Sequence, residues 1–370
     1  MELLRDWFKR SFSDPQVVIL GVVLLAFFAV VIGLGAWLAP MFASIVIAYL
    51  LEAVVGRLQR LGMPRMLAVV IVFLLFMTIF IFLLFGLIPL VSRQLTQLVQ
   101  QLPNYISQGQ ELLKGLPAAY PDLISVAQVE SIIGQLGQEV ANLGQQLLGW
   151  SLASVASLIG LVVYLVLVPV LVFFLLKDKA LIIDWFTDRL PRERSLVNRV
   201  WSESEVQIAN YVRGKVVEII IVGAVTYVTF MMLGLQYSAL LATLVGFSVL
   251  VPYVGAAVVT VPIALIAYFQ FGWGWDFGQV MIAYAIIQAL DGNLLVPLLF
   301  SEVVNLHPVA IILAILVFGG LWGFWGIFFA IPLATFVKAV INAWPSNGAG
   351  KDESPGAAET PAADPGPGPG

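Results

Sequence analysis

Residues 66–92 read MLAVVIVFLLFMTIFIFLLFGLIPLVS, 27 residues without one charged side chain. About 20 apolar residues suffice to carry a helix across the hydrocarbon of a bilayer. Residues 150–176 are equally free of charge. Neither run alternates with period two, as a porin-type barrel strand would, so each predicts a membrane-spanning helix. The whole 370-residue chain is of the same kind, 61% hydrophobic and 11% charged. A soluble protein carries about 25% charged residues. Most of this surface therefore faces lipid, and the fold class is an all-α polytopic membrane protein.

About eight hydrophobic elements are expected, at 16–36, 38–55, 66–91, 152–176, 216–234, 238–270, 278–300 and 306–341. Arg5, Lys9 and Arg10 precede the first, which reads as an uncleaved anchor because a second apolar run follows directly. Lys and Arg concentrate before the first span, at Arg57, Arg60 and Arg65, and across 177–215; segment 92–150 holds only Arg93 and Lys114. The positive-inside rule then places both termini in the cytoplasm and 92–150 outside. The net charge of −4 adds nothing to this distribution. With no cysteine, disulfides, thiol catalysis and thiolate metal sites are excluded.

The predicted organisation is N-terminal spans (1–91), an extracytoplasmic amphipathic helical segment (92–150), a fourth span (151–176), a basic amphipathic cytoplasmic segment (177–215), a C-terminal core (216–342) and a disordered tail (343–370). In the outer segment, Leu95, Leu98, Val99 and Leu102 form one helical stripe, and Val129, Ile132, Leu136, Val140, Leu143 and Leu147 another. This small insertion either packs on itself or meets a second subunit. Residues 196–212 carry a further stripe, either lying along the headgroups or packed beneath the bundle. The Gly-, Pro- and Ala-rich tail cannot bury a core.

The C-terminal half contains two segments too long for one span. Val-Pro-Tyr-Val-Gly at 251–255 interrupts the first, where Pro252 removes a donor and Gly255 frees the backbone. Gly319, Gly320, Gly323 and Gly326 interrupt the second. Each is either a kinked span or a re-entrant hairpin. Non-helical backbone survives at membrane depth only where it lines a cavity or is buried in protein. Each broken segment follows one unbroken span, an order that suits an inverted repeat with a binding site where the breaks meet.

Asp291 lies within span 278–300, with Gln288 one turn earlier, Gly292 and Asn293 beside it and Pro297 beyond. An acid in a span faces a cavity or a partner. These groups, with Tyr253 at a break, are candidates to bind a cation, a proton or a small solute; the alternative is a polar contact gluing helices together. Glu218 reads as a headgroup-level ion pair with Lys215 or Arg213, or else as a coupling acid. His307, the sole histidine, either titrates near the site or starts a helix. No P-loop is present, a single histidine excludes a His-Glu-x-x-His zinc site, and an aspartyl dyad would need Glu218 to face Asp291. An enzyme is therefore not expected, nor a cofactor, a bound metal or a nucleic-acid partner.

Val-Pro-Tyr-Val-Gly at 251–255, Gln288 with Asp291-Gly292-Asn293 and Pro297, Leu306-His307-Pro308, and Gly319-Gly320 with Gly323, Gly326, Pro332 and Lys338 together resemble the autoinducer-2 exporter family, the PerM-like permeases. The resemblance covers about residues 15–342. Departures fall at Lys215, where family members often have glutamine after the glycine, and at Ser301 and Asn305, where glycine is usual. The resemblance implies a multi-pass transporter of the bacterial cytoplasmic membrane, oligomeric, exporting a small hydrophilic solute such as autoinducer-2 or exchanging sodium or lithium for protons. A channel or a membrane scaffold is the alternative of another class.

Overall fold

The computed structural model describes residues 15–119, 154–189, 195–252, 254–300 and 306–343, with four isolated positions between 131 and 138. Among the described residues every regular element is helical. Six helices there are long and apolar enough to cross a membrane, joined by shorter apolar helices. Large apolar side chains such as Leu74, Phe85, Ile220 and Leu316 are exposed on the outside of the bundle. Lipid, not water, is the medium that tolerates such a surface.

Helix α1 (Pro15–Arg60) runs through the expected boundary between the first two spans as one helix, with Pro40 inside it. Its 46 residues extend about 69 Å. After a turn at Gly62 (φ 90°), α2 (Arg65–Phe82) continues through a π-helical turn (Leu83–Leu87) into the amphipathic α3 (Ile88–Ala119). The start of the outer segment is thus an extension of the third span. Its second stripe, from Val129 to Leu147, lies outside the described residues. Helices α4 (Ser154–Lys177) and α5 (Lys179–Thr187) follow. Ala48 and Val55 of α1, Val69, Val72 and Phe76 of α2, and Val168, Val172 and Leu176 of α4 form one core. At its basic end Glu52 meets both Arg65 (3.4 Å) and Lys179 (3.2 Å), and Arg65 donates to the Leu176 carbonyl (2.9 Å).

Helix α6 (Ser195–Met232) joins the basic amphipathic stretch directly to the fifth span. Within that stretch Ala209, Tyr211 and Val212 are buried and Trp201 is exposed, so its C-terminal part packs within the bundle. The first broken segment is α7 (Ser238–Ser248) and α8 (Val254–Phe271). It folds back on itself: Gln270, near the end of α8, donates to Gly234 O (2.8 Å) and accepts from Gln236 N (2.7 Å), just before α7 begins. At 11 residues, α7 reaches about 16 Å, half the hydrocarbon thickness. Helix α9 (Trp275–Leu290), a second π-helical turn (Asp291–Leu295) and α10 (Val296–Phe300) run back antiparallel to α6. The second broken segment is α11 (Pro308–Trp322) packed along α12 (Phe324–Ala343), turning at Gly323 (φ 58°).

Both hairpins depend on a glycine just after the turn. A Cβ at Gly255 would overlap the Ser248 carbonyl, and one at Gly326 the Phe318 carbonyl. Gly319 is less constrained, a Cβ there meeting only the Ile327 side chain at 2.9 Å, whereas Gly320 has open space around it. The tips meet, with Phe247 edge-on to Phe324 at 6.1 Å between ring centroids. Replacing Gly255 or Gly326 by alanine is expected to cost about 1–3 kcal/mol, because backbone has to move. Gly320→Ala is expected to be neutral or slightly stabilising, since alanine favours the helix. Thermal unfolding in detergent, followed by tryptophan fluorescence, tests the contrast.

Candidate functional site at the tip of the first hairpin

Tyr211, Lys215, Glu218, Val222, Thr226 and Phe230 recur every three or four residues on α6, and all are buried. An apolar stripe at this spacing would be ordinary core. This one holds two charges, which need partners in a low-dielectric interior. Lys215 Nζ lies 2.7 Å from Glu218 Oε2, with side-chain exposures of 6% and 2%. The same ammonium donates to Val249 O at 3.0 Å and lies 5.1 Å from the centre of the Phe300 ring. Gly214 makes room for this: a Cβ there would come within 2.8 Å of Phe300. Val249 follows the last turn of α7, where carbonyls lack helical donors and the helix dipole favours a cation.

The expectation that Glu218 pairs at the headgroup surface is therefore corrected. Its partner is Lys215, but the pair is buried inside the protein because α6 enters the bundle well before residue 216. Counting back from Met232, Lys215 lies about 26 Å along α6, and Asp291 lies about 24 Å along its own helix from Trp275. Antiparallel packing brings these depths together. Helix α6 packs directly against the π-helical turn that carries Asp291. Asp291 Oδ1 is buried without a hydrogen-bond partner among the described residues.

The π-helical turn explains how an acid comes to be available here. Val296 N–H bonds to Asp291 O, five residues back. In that register the Gly292 carbonyl would accept from residue 297, and proline has no N–H. Pro297 thus widens the helix and leaves a carbonyl without a helical donor beside Asp291. The turn at Leu83–Leu87 likewise precedes a proline, Pro89, by two residues.

The other predicted residues divide. Gln288 Nε2 donates to the Tyr284 hydroxyl (2.9 Å), which donates to Ala256 O (3.0 Å) on the far side of the break; Thr260 donates to the same carbonyl (2.7 Å). Gln288 thereby belongs to the support of hairpin 1. Pro252 lies in the break and Gly255 sets its close turn. Tyr253 lies outside the described residues. Asn293 is exposed and its amide returns to Ala289 O (2.8 Å), so its side chain is occupied on its own helix. His307 is exposed and caps α11, accepting from Val309 N (3.3 Å), the role of a helix start.

Sequence reasoning gave Lys215 only the role of a headgroup-level partner for Glu218, and passed over Val249, Phe300 and Tyr284. For Lys215 a signal was present: it shares with Tyr211, Glu218 and Val222 one helical face with an apolar continuation. Breaking a buried ion pair from one side costs about 3–5 kcal/mol. Glu218→Gln and Lys215→Met are each expected to destabilise on that scale, and the double replacement less than either. Thermal unfolding of all four forms in detergent measures the coupling.

The comparisons agree with this architecture. A model of the AI-2E transporter family matches residues 19–346. A candidate permease of Escherichia coli (strain K12), PerM, is 48% identical over 345 residues, covering 93% of this chain and 98% of its own. A candidate transport protein of Bacillus subtilis (strain 168), YueF, is 27% identical over 309 residues, covering 81% and 82%. A second from that organism, YrrI, is 26% identical over 308 residues, covering 82% and 85%. With a family match over nearly its full length and the multi-pass helical fold such a transporter requires, the chain belongs to the AI-2E transporter family.

Proposed function

We propose that this protein is a secondary-active transporter of the bacterial inner membrane, and that Lys215, Glu218 and Asp291 form its coupling site. The observation that carries the reading is the charge count of the buried cluster. One ammonium contacts the Glu218 carboxylate, and a second carboxylate, Asp291, lies on the turn packed against the same helix with a buried, unpartnered oxygen. With all three ionised the cluster lacks one positive charge, which a proton or a small cation supplies. The spare Asp291 oxygen and the Gly292 carbonyl are oxygen ligands suited to either. Binding and release of that charge, alternately to the two sides, drives export of a small hydrophilic solute such as an autoinducer-2-like signalling molecule. Where the driven species is itself sodium or lithium, the same cluster makes an antiporter.

The arrangement of breaks supports the reading. Hairpin 1 opens at the end bearing Trp273 and Trp275, which suit a membrane interface. Hairpin 2 begins after α10, whose end lies against Gly214 toward the basic end of α6. The two hairpins thus enter from opposite sides and meet at Phe247 and Phe324. We assign the basic end, with Arg57, Arg65 and Lys179, to the cytoplasm.

Proton flux in proteoliposomes with a trapped pH dye tests the assignment. Pulses of sodium, lithium or a candidate signalling solute are applied to the native protein and to Asp291→Asn. A cation-dependent pH change in the native protein alone identifies an antiporter coupled through Asp291. A solute-dependent change identifies the exporter. Native flux from the variant would remove Asp291 from the coupling site.

A further inference from the structure

The geometry points to Lys215 as a positioning residue that ties the charge of Glu218, within the acid site it forms with Asp291, to the tip of hairpin 1, by donating to the Val249 carbonyl only while the Glu218 carboxylate holds the ammonium in place. This rests on the reading of the two acids as the coupling site. It adds the step by which occupancy reaches the backbone.

An ammonium has three donors and no acceptor. Glu218 and Val249 O engage it, and the Phe300 ring covers it. Among the described residues, the charged or titratable groups facing it are Glu218 on its own helix, Asp291 on the π-helical turn packed against that helix, and the buried Tyr211 hydroxyl one turn below. Arg213 is engaged elsewhere, on the Tyr49 hydroxyl at 2.9 Å. Lys215 therefore occupies the place of an exchangeable cation. When a proton or a small cation neutralises Glu218, the ammonium loses the carboxylate it touches, and a buried ammonium without a contacting counter-charge is strongly disfavoured. It withdraws, and the Val249 carbonyl, on a buried residue, loses its donor.

The break is built to respond. Helix α7 is short, residues 249–252 are non-helical, and Val251 N bonds to Ser248 O within the same turn. On the other side of the break, Tyr284 of α9 donates to Ala256 O at 3.0 Å and is itself held by Gln288. The tip is therefore anchored at α8 through uncharged groups and at α7 through one charged group. Only the second anchor senses the acids.

The test uses the full chain in detergent micelles, and the absence of native cysteine makes it direct. A single thiol is introduced as Val251→Cys, and its reaction with a water-soluble maleimide is timed. With Lys215 native, labelling is expected to be slow. Lys215→Met is expected to speed it about tenfold, the population shift set by loss of one charge-assisted hydrogen bond. Lys215→Gln keeps a donor for Val249 O without the charge and is expected to restore slow labelling. Glu218→Gln, with the lysine present but its counter-charge gone, is expected to label fast. Labelling in monodisperse Lys215→Met as slow as in the native background overturns the inference. Should that variant not fold, slow labelling in Glu218→Gln overturns it. The readout needs no transport, so the tie between Lys215 and the tip can fail while Asp291→Asn still abolishes flux, and the reverse.

Discussion

A buried ammonium constrains everything around it. Lys215 is enclosed by protein, so the surrounding elements supply what water would have supplied. Glu218 comes from its own helix, a backbone carbonyl from the tip of hairpin 1, and an aromatic face from the end of α10. Each contribution requires something of the sequence. The break after Ser248 leaves the Val249 carbonyl free of a helical partner, and Gly214 lets Phe300 approach. The position of hairpin 1 follows from satisfying one side chain. Its other end is fixed by uncharged groups: Gln270 on Gly234 and Gln236, and Gln94 of α3, whose amide oxygen accepts from Leu240 N at the start of α7 (2.8 Å).

Two devices occur twice in the molecule, and each has a local cause. Both hairpins close through a glycine whose missing Cβ admits a carbonyl from the preceding helix. Both π-helical turns stand two residues before a proline, whose ring displaces the carbonyl four residues earlier and whose missing N–H shifts the register. Only the second of these turns carries an acid. Chemistry and backbone defect therefore coincide at Asp291, whereas the turn at Leu83–Leu87 is purely apolar and serves to continue α2 into α3. There α3 reaches the mouth of hairpin 1 and stacks Tyr105 on Phe269 at 5.0 Å between ring centroids.

How far these features can be read from the sequence depends on their range. The uncharged runs at 66–92 and 150–176 fix helices in lipid by local energetics alone, and the interruptions at 251–255 and 319–326 announce themselves through Pro and Gly. Whether a broken segment kinks or folds back depends on contacts between its ends, such as Gln270 with Gly234, which no local pattern contains. Asp291 stands out as an acid in an apolar run. Lys215 does not, because it sits among the basic residues of 177–215 and resembles one more headgroup anchor; only the depth of α6 within the bundle distinguishes it. Asn293 and His307 mislead in the opposite direction. Both are rare residue types in their surroundings, yet one bonds to its own helix and the other caps α11.

The distribution of polar ties also separates a static part from a part able to move. In the N-terminal bundle, charged contacts join different helices at one end: Glu52 holds Arg65 and Lys179, and Arg65 closes the last turn of α4. Ser44 is buried where α1 crosses α4, its hydroxyl on Pro40 O at 2.6 Å. Helix α1 then turns a second face to the C-terminal core, placing Val46 and Leu50 against the cluster of Tyr211, Leu250, Phe328 and Ile331, with Tyr49 under Arg213. The shared wall is thus pinned on one side by ion pairs. On the other side the hairpin tips are apolar and meet through aromatic edges, Phe247 on Phe324 and Phe42 near Trp322 at 6.0 Å. Aromatic contacts of this kind are worth about 0.5–1.5 kcal/mol beyond their buried area and are not tied to one geometry. The α7 side of the tip, held by one charged hydrogen bond and such contacts, can change position at modest cost, while the wall behind it keeps its shape.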